Sequence, residues 1–314
     1  MTPMKRSTAL TTLAAFAATA AAQPARGQSL AKLRAFSSAS DPSGAIFYAN
    51  DAGMFEKHGI DMTITLSNDS SLSVSSVASG TVDIGYTNIV SIEQAFRKGI
   101  PITMIAPAAI NDYRTPTNWV VVAKDSPIKT PLDLQGKTLG TSPLKSLGDF
   151  ATNAWVDMHG GDSTKLKWVE IPYIACGPAL QEGRIDAAFL IEPYATNFRD
   201  TTRKLGWPYE AISKHFLGAG YFSTQAWAKA NPDLVQRFAA AIAEASAWAN
   251  KNPMLSAPIL EKYAHVDAGT LAQIHRAVYA STLAAADVQP TIDFCAKNKI
   301  LDASFPASDL IYRA

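Results

Sequence analysis

Two stretches of the chain, VASGTVDIGYTN at residues 77–88 and LQEGRIDAAFLIEPY at residues 180–194, share one pattern. In each, a glycine is followed after one residue by a β-branched residue, then by an aspartate and a short apolar run. The two glycines, Gly80 and Gly183, lie 103 positions apart. A glycine that ends a helix ahead of a short apolar strand is typical of α/β structure. The repeat therefore predicts two similar α/β lobes.

The length and composition agree with two lobes and argue against nucleic acid as a partner. The chain has 314 residues, and a single core usually stops growing at about 250–300 residues. Apolar residues make up 47% of the chain, which is enough to fill both cores. The 28 lysines and arginines are balanced by 27 acidic residues. No basic stripe of the kind that binds nucleic acid is present, so nucleic acid is not an expected partner.

The first 27 residues are typical of a secretory signal peptide. Lys5 and Arg6 precede a mild apolar stretch at residues 9–22, and small residues follow it. This stretch is shorter than the roughly 18 residues that suggest a membrane span. We expect cleavage after Ala22 or Gly27 and a periplasmic location for the mature protein.

The two cysteines and five histidines do not predict a metal or cofactor site. Cys176 and Cys295 are too few and too distant to form a zinc or iron–sulfur site, and no two histidines have ligand spacing. We expect two buried thiols, although an oxidising compartment would permit them to pair. No cofactor is expected.

Short apolar runs alternate with amphipathic stretches, which predicts an α/β fold. One helix is expected over residues 43–57 and a short one over residues 177–182. The last third is expected to be mostly helical, with a long helix that follows Asn231 as its N-cap and has Pro232 at its first position.

Six segments in order, from about Leu33 to Pro253, resemble the periplasmic substrate-binding proteins of nitrate/sulfonate/taurine-type ABC importers. These proteins share their fold with thiamine-pyrimidine synthesis proteins. The segments are AIFYANDAGMFEKHGIDM (45–62), SVASGTVDIGYTN (76–88), GIPITMIAP (99–107), WVVVAKDSPIKTPLDLQGKTLG (119–140), ALQEGRIDAAFLIEPYA (179–195) and NPDLVQRFAAAIAEASAWANKNP (231–253).

The resemblance implies a type II periplasmic-binding-protein fold, in which two α/β lobes are joined by crossing hinge strands and a ligand cleft lies between them. Lobe 1 would be discontinuous, at residues 28–110 and 218–314, and lobe 2 would cover residues 112–215. We expect the hinges at residues 111–116 and 213–221, and closure around the ligand as a hinge motion. The resemblance also implies a monomer without enzyme activity that passes a small solute to ABC permease subunits.

The candidate ligand-binding residues lie where strands end, because ligands of open α/β sheets bind beyond the carboxyl ends of the strands. Hydroxyl groups in the loop after the first strand could meet an anion, and ordinary turn chemistry explains them equally well. Ser146 also fits a capping box with Asp149, in which case Asp149 only caps a helix. The full set of candidates is Ser38, Ser40, Tyr86, Thr87, Asn88, Asn111, Ser142, Ser146, Glu192 and Tyr194.

The nature of the ligand follows from the charges in this set. Glu192 could accept a hydrogen bond from the ligand or pair with Arg114. A bare oxyanion would fit poorly beside Glu192 and Asp149, with only Lys145 or Arg114 as cations. We expect an organic molecule with one acidic end, such as a sulfonate or carboxylate, on an apolar or aromatic body. A neutral heterocycle held by Glu192 is the alternative.

A competing hypothesis is an enzyme of the same fold. The resemblance extends to a pyrimidine synthase with a cysteine-rich stretch, and to a desulfinase with a cysteine in the loop after the first strand. Here that loop, SSASDPS at residues 37–43, contains no cysteine. Cys176 has no lysine, arginine or histidine near it in sequence that would activate its thiol. A ligand sensor remains a further alternative.

Overall fold

The two glycine–aspartate segments lead into the middle strands of two separate five-stranded sheets. In the computed structural model, which describes residues 29–67, 69–264 and 266–313, the middle strand of the first sheet is β3 (Ile84–Asn88). The middle strand of the second is β9 (Ala187–Ile191). The predicted signal peptide at residues 1–27 lies outside the described residues.

The two sheets share one spatial arrangement of parallel and antiparallel strands, which are numbered here in chain order. In spatial order the first sheet is β2 (Ile60–Leu66), β1 (Ala31–Ser37), β3, β12 (Ala219–Thr224) and β4 (Ile102–Pro107). The second is β8 (Lys167–Glu170), β7 (Thr138–Thr141), β9, β6 (Asn118–Ala123) and β10 (Thr202–Gly206). In each sheet the fourth strand runs antiparallel to its two neighbours.

A third sheet of three short strands lies where the chain passes between the other two. It consists of β11 (His215–Leu217), β5 (Ala109–Asp112) and β13 (Val278–Tyr279). β5 carries the chain out of the first sheet, and β11 carries it back. These two strands overlap the expected hinge segments. The boundaries of the two lobes remain a prediction.

The helices cover the sheets and fill the last third of the chain. Their bounds are α1 Gly44–Asp51, α2 Met54–Lys57, α3 Ser70–Ala78, α4 Ile89–Arg97, α5 Leu147–Met158, α6 Tyr173–Gln181, α7 Tyr194–Asn197, α8 Gln225–Ala230, α9 Pro232–Lys251, α10 Pro253–Ala264, α11 Ala268–Leu271, α12 Ala285–Lys297 and α13 Ala307–Leu310. Among the described residues, no helix is both long and apolar enough to cross a membrane.

Three expectations about helices were wrong in detail. The single helix over residues 43–57 is divided into α1 and α2, because Gly53 between them has a left-handed φ of 70°. α6 begins at Tyr173 rather than Gly177. Asn231 does precede α9, but its side chain donates to the carbonyl of Trp227 instead of capping the helix.

No bounds were predicted for α3, the helix that ends ahead of Gly80. Its sequence, SSLSVSSVA, lacks a clear apolar stripe because Ser73 and Ser76 occupy buried positions. The helix starts at Asp69, whose carboxylate accepts hydrogen bonds from the backbone N–H groups of Ser71 and Leu72. Small hydroxyl side chains allow a helix to pack closely on a sheet without an obvious hydrophobic signal.

The repeated aspartate has the same structural role in both sheets. The Asp83 carboxylate accepts a hydrogen bond of 2.9 Å from the backbone N–H of Arg34 in β1. The Asp186 carboxylate accepts one of 2.8 Å from the backbone N–H of Thr138 in β7. Each aspartate also donates its own N–H to the carbonyl of the same neighbour. The motif therefore joins each middle strand to the adjacent parallel strand.

Both cysteines carry free, buried thiols, which confirms the expectation of two buried thiols. Burial raises the pKa of the Cys176 thiol to about 12. Burial and the nearby Glu93 also raise the pKa of Cys295. Within the described ranges, no group of three or more histidines, cysteines and acidic residues could hold a metal ion.

Replacing the repeated aspartates should destabilise the protein through the strand pairing. We expect Asp83→Ala to cost about 0.5–1.5 kcal/mol, because it removes the acceptor of the exposed Arg34 N–H together with the partner of the Arg34 guanidinium. Asp186 is more exposed, so Asp186→Ala should cost less. The corresponding Asn variants should lose less than the Ala variants, because an amide oxygen can accept the same bond. Urea unfolding curves measure these differences.

The matched control is Asp61→Ala, which changes an exposed aspartate on the edge strand β2 and should stay within about 0.5 kcal/mol. Equal stabilities for Asp83→Ala and the control would contradict the role assigned to the motif.

A buried glutamate should make stability depend on pH. Glu93 in α4 is fully buried, and its Oε1 accepts a hydrogen bond from Thr291. Burial raises the pKa of Glu93 to about 8. The folded protein then retains a proton that the unfolded chain, with a pKa of about 4.3, releases. This contribution should make stability fall by up to about 1.4 kcal/mol per pH unit between about pH 4.3 and 8.

Glu93→Gln should remove this slope, and unfolding curves measured from pH 5 to 8 would show it. Glu261→Gln, at an exposed position on α10, is the control. A wild-type slope retained in Glu93→Gln would show that another group is responsible.

Candidate functional site

A cavity of about 150 Å³ contacts both five-stranded sheets. Its lining comes from the ends of strands, from the start of α5 and from the short 3-10 helix Pro208–Ala211. The lining residues on the side of the first sheet are Asp41, Pro42, Asn88, Ala109, Ile110, Asn111, Gly218, Ala219 and Ala277. Those on the side of the second are Thr117, Asn118, Leu147, Ile191, Glu192 and Tyr209.

Three of the ten candidate site residues line this cavity, and they are Asn88, Asn111 and Glu192. The other seven do not line it, although several lie one residue away from it in sequence. Thr87 precedes Asn88, Ser146 precedes Leu147, and Ser40 precedes Asp41. Whether the ten bind a ligand stays a prediction.

The candidates at the end of β3 make hydrogen bonds within the protein. The Asn88 side chain caps α4 by accepting a 3.0 Å hydrogen bond from the N–H of Ser91. Its amide nitrogen donates to Ser70 and Ser91. Thr87 donates to the Ser70 hydroxyl at 2.6 Å. Much of this hydrogen-bonding capacity is therefore already used.

The serines after β1 form a compact turn. The Ser38 and Ser40 hydroxyls lie 2.8 Å apart, and Ser40 forms a capping box with Ser43. Ser43 donates to the carbonyls of both Ser38 and Ser40. These hydroxyls therefore make ordinary turn contacts, and their contact with a ligand stays a prediction. Nearby, burial raises the pKa of Tyr86, while hydrogen bonding to Ser38 and Ser40 opposes that rise.

The expected capping box at α5 is confirmed. Asp149 accepts hydrogen bonds of 2.7 Å from the backbone N–H groups of Ser146 and Lys145, and it does not line the cavity. Burial raises the pKa of Asp149 in spite of these bonds.

Lys145 is exposed and has a left-handed φ of 58°. Ser142 lies in the same loop and is half-buried.

The suggested pairing of Glu192 with Arg114 is wrong. The Arg114 guanidinium donates to both carboxylate oxygens of Asp112, at 2.9 and 2.7 Å, and this holds the pKa of Asp112 well below its usual range. Glu192 is buried and accepts a 3.0 Å hydrogen bond from the backbone N–H of Thr196. Its nearest cation is Lys204 in β10, at 3.8 Å. No strand was expected at β10, so Lys204 was not among the expected partners of Glu192.

The candidate Tyr194 lies at the start of α7 and is half-buried, and its ring centroid lies 5.6 Å from that of Tyr173.

The candidate Asn111 lies in the crossing strand β5, and its side-chain amide lies against the backbone at Gly218, directly after β11. A Cβ atom at Gly218 would collide with the Asn111 amide, so glycine is required at this contact.

A buried ion pair at the cavity was missed. The Arg276 guanidinium donates to the two carboxylate oxygens of Asp41 at 3.1 and 2.9 Å. Asp41 also accepts hydrogen bonds from the N–H of Ala277 and the hydroxyl of Tyr279. These partners lie more than 230 positions along the chain, so no local pattern could reveal them. These hydrogen bonds connect the loop after β1 to the segment before β13.

A matching family profile covers residues 42–255, more than half of the chain, and is described as NMT1/THI5 like. The chain belongs to the NMT1/THI5-like family. The match includes most of the cavity lining but neither Asp41 nor Ala277. The expected kinship with thiamine-pyrimidine synthesis proteins is thereby confirmed.

Two relatives show how far the similarity within the family extends. A putative thiamine biosynthesis protein of Haemophilus influenzae is 27% identical over 143 residues, which are 46% of this chain and 44% of that protein. A putative binding protein of Brucella abortus is 24% identical over 228 residues, 71% of this chain and 68% of that protein. This chain thus matches less than half of the length of the first relative.

A solved structure has the same fold as this chain. The periplasmic aliphatic sulphonate-binding protein of Escherichia coli superposes with a TM-score of 0.74 at 19% identity, over 90% of this chain and 92% of that chain. The expected α/β periplasmic-binding-protein fold is confirmed.

The Asp41–Arg276 pair should be a strong determinant of stability. Both side chains are at most 10% exposed, so Arg276→Ala would leave a buried carboxylate without its cation. We expect a loss of about 3–5 kcal/mol, measured by urea unfolding. The double variant Asp41→Asn with Arg276→Met should recover part of this loss, because no charge is left uncompensated.

Arg97→Ala removes the cation of the exposed Arg97–Asp302 pair and is the control, with an expected cost below about 1 kcal/mol. Equal losses for Arg276→Ala and Arg97→Ala would show that the buried network contributes little.

Proposed function

We propose that this protein is an exported solute-binding protein that captures a small organic molecule between two lobes and delivers it to an ABC importer. The observation that carries the proposal is the cavity, which contacts both sheets at the ends of their strands. Membership of the NMT1/THI5-like family and the fold shared with a periplasmic sulphonate-binding protein support it. The partners in this proposal are permease subunits in the inner membrane, and the binding protein is a periplasmic monomer.

In this proposal, the crossing strands allow the motion that the role needs. In the proposal, residues 28–110 and 218–314 form one lobe and residues 112–215 the other, with hinges at residues 111–116 and 213–221. Rotation about β5 and β11 would open and close the cavity, and the ligand would favour the closed form. At about 150 Å³ the cavity is smaller than the roughly 300–1,000 Å³ usual for drug-sized ligands, which supports a small occupant.

The cavity lining gives no support to the acidic end group that we expected from the sequence. The two cations on which it relied, Lys145 and Arg114, do not line the cavity. The lining contains two carboxylates, and none of its described residues is a lysine or arginine. The proposed role therefore does not require an acidic solute.

The enzyme hypothesis gains no specific support from the thiols. Cys176 is buried in α6, it does not line the cavity, and its pKa is raised to about 12. A thiol with so high a pKa is protonated at neutral pH and is a poor nucleophile. We propose binding without chemical conversion.

The test is saturable binding of a small molecule that is recovered unchanged. The mature protein is screened by native mass spectrometry against amines, amides, amidines, carboxylates and sulfonates, and retained compounds are titrated by calorimetry. Leu147→Trp should fill the cavity and weaken binding at least tenfold, whereas Leu132→Trp, at an exposed position, should not. Conversion of the ligand, or equal binding by both variants, would refute the proposal.

A further inference from the structure

A second cavity, of about 540 Å³, lies on the other face of the three-stranded sheet. Asn111 of β5 lines the first cavity and its neighbour Asp112 lines the second, because successive side chains of a strand point to opposite faces. The lining of the second cavity comes from both sides of the proposed lobe boundary, with His215 on one side and Asp287 on the other. Rotation about the crossing strands would therefore change the contacts across this cavity.

His215 connects the two sides of the boundary through both of its ring nitrogens. It begins β11 and lies opposite Asp112 of β5, whose carboxylate is 3.0 Å from its Nδ1. Its Nε2 is 3.5 Å from a carboxylate oxygen of Asp287, in the first turn of α12. In the proposed division, His215 and Asp112 belong to the second lobe and Asp287 to the first. One imidazole ring therefore lies between two carboxylates and across the boundary.

The carboxylate of Asp112 is also compensated by a second cation. Arg114 donates to both of its oxygens and holds its pKa well below the usual range. Tyr279 lines the same cavity, and burial raises its pKa well above the usual value, so its hydroxyl stays neutral. Lys214, directly before β11, is exposed, and its ammonium lies 5.6 Å from the centroid of the Tyr113 ring.

The carboxylate of Asp287, in contrast, depends on the imidazole alone. Among the described residues, no cation other than His215 forms an ion pair with it. A neutral imidazole has one N–H, so whichever nitrogen carries it, the lone pair of the other faces a carboxylate and is repelled. An imidazolium donates from both nitrogens and attracts both carboxylates. Protonation of His215 therefore favours the observed arrangement.

In terms of the proposed lobes, the observed arrangement is a closed one. The first cavity measures only about 150 Å³ and is lined from both lobes. The lobes also meet directly, because the Arg199 guanidinium donates to the side-chain oxygen of Gln273 at 2.6 Å. A histidine side chain ordinarily changes its charge between pH 5 and 8. A change of pH within this range would therefore shift the balance between open and closed forms.

We propose that His215 makes closure of the lobes sensitive to pH, because its protonated ring holds Asp287 of the first lobe beside the crossing strands. Acidification favours the closed form, and a solute that favours the same form binds more tightly at pH 5.5 than at pH 8. This inference rests on the proposed function and adds regulation of the same site. The His215 side chain is 49% exposed, so we expect a modest change in the ratio of closed to open forms, about two- to fivefold.

The test measures closure without any ligand. Spin labels are attached at Leu66→Cys and Glu170→Cys, which are the exposed last residues of the corresponding outer strands β2 and β8. Both native thiols are buried and stay in place. Electron paramagnetic resonance should resolve a short and a long label separation, and the ratio of short to long should rise about two- to fivefold from pH 8 to pH 5.5. A fall in this ratio would overturn the inference.

Two variants remove the pH response in different ways. Asp287→Asn removes the charge that only the imidazolium attracts, and His215→Gln removes the titrating group. Neither side chain is fully buried, so both variants should fold. In both, the ratio should stay constant from pH 5.5 to pH 8. A wild-type response retained in both would show that another group is responsible and would overturn the inference.

The matched controls lie within the first lobe. The Nε2 of His58 is 3.0 Å from the Glu244 carboxylate, so His58→Gln changes a similar pair away from the crossing strands. Glu93→Gln is a second control, because Glu93 contacts Thr291 of α12 and has a pKa of about 8. Both controls should keep the wild-type response, and its loss in either would overturn the assignment to His215.

The measurement also separates this inference from the proposed function. Two label separations at a ratio that does not depend on pH would overturn the inference and leave the binding function intact. A single separation that neither pH nor any compound retained in the screen changes would overturn the lobe motion on which both depend.

Discussion

The architecture depends on one hydrogen-bonded contact that occurs in both sheets. At the start of each middle strand an aspartate accepts the backbone N–H of the adjacent parallel strand and donates its own N–H to the carbonyl of the same residue. In strands a shift of one residue moves every side chain to the opposite face. Together with the adjacent ladder pairs, the contact therefore supports the register that places particular residues at the far ends of the middle strands. Those ends are Asn88 in the first sheet and Glu192, directly after β9, in the second, and both line the cavity.

Most polar groups around the cavity are bound within the protein. The serine turn after β1 satisfies its own hydroxyls, Asp149 caps α5, and Asp41 is held by Arg276 and Tyr279. Networks of this kind stiffen a site, because each group is fixed by several bonds. One carboxylate oxygen of Glu192 is an exception, because it lies 3.8 Å from the Lys204 ammonium, beyond hydrogen-bond distance.

The crossing region links this site to the overall shape of the molecule. β5 and β11 pair with each other, and Asp112 on β5 binds both Arg114 and His215. Tyr209 packs between the second sheet and β11. Groups that line the cavity are thus attached directly to the strands about which the lobes would rotate. In the proposed function, binding and closure would be coupled through these contacts.

The sequence by itself determined the α/β class, the two repeated units, the strand ends that reach the cavity, the capping box at α5 and the family. These features are local, because a glycine with positive φ, a capping pair or a strand period spans only a few residues. The tertiary structure alone decided that Asp41 pairs with Arg276 and that Glu192 faces Lys204 rather than Arg114. It also decided the bounds of the serine-rich helix α3. Each of these depends on groups that are distant in sequence or on which face of a strand is buried. Ligand chemistry depends on such contacts, so the fold could be predicted from the sequence while the polarity of the site could not.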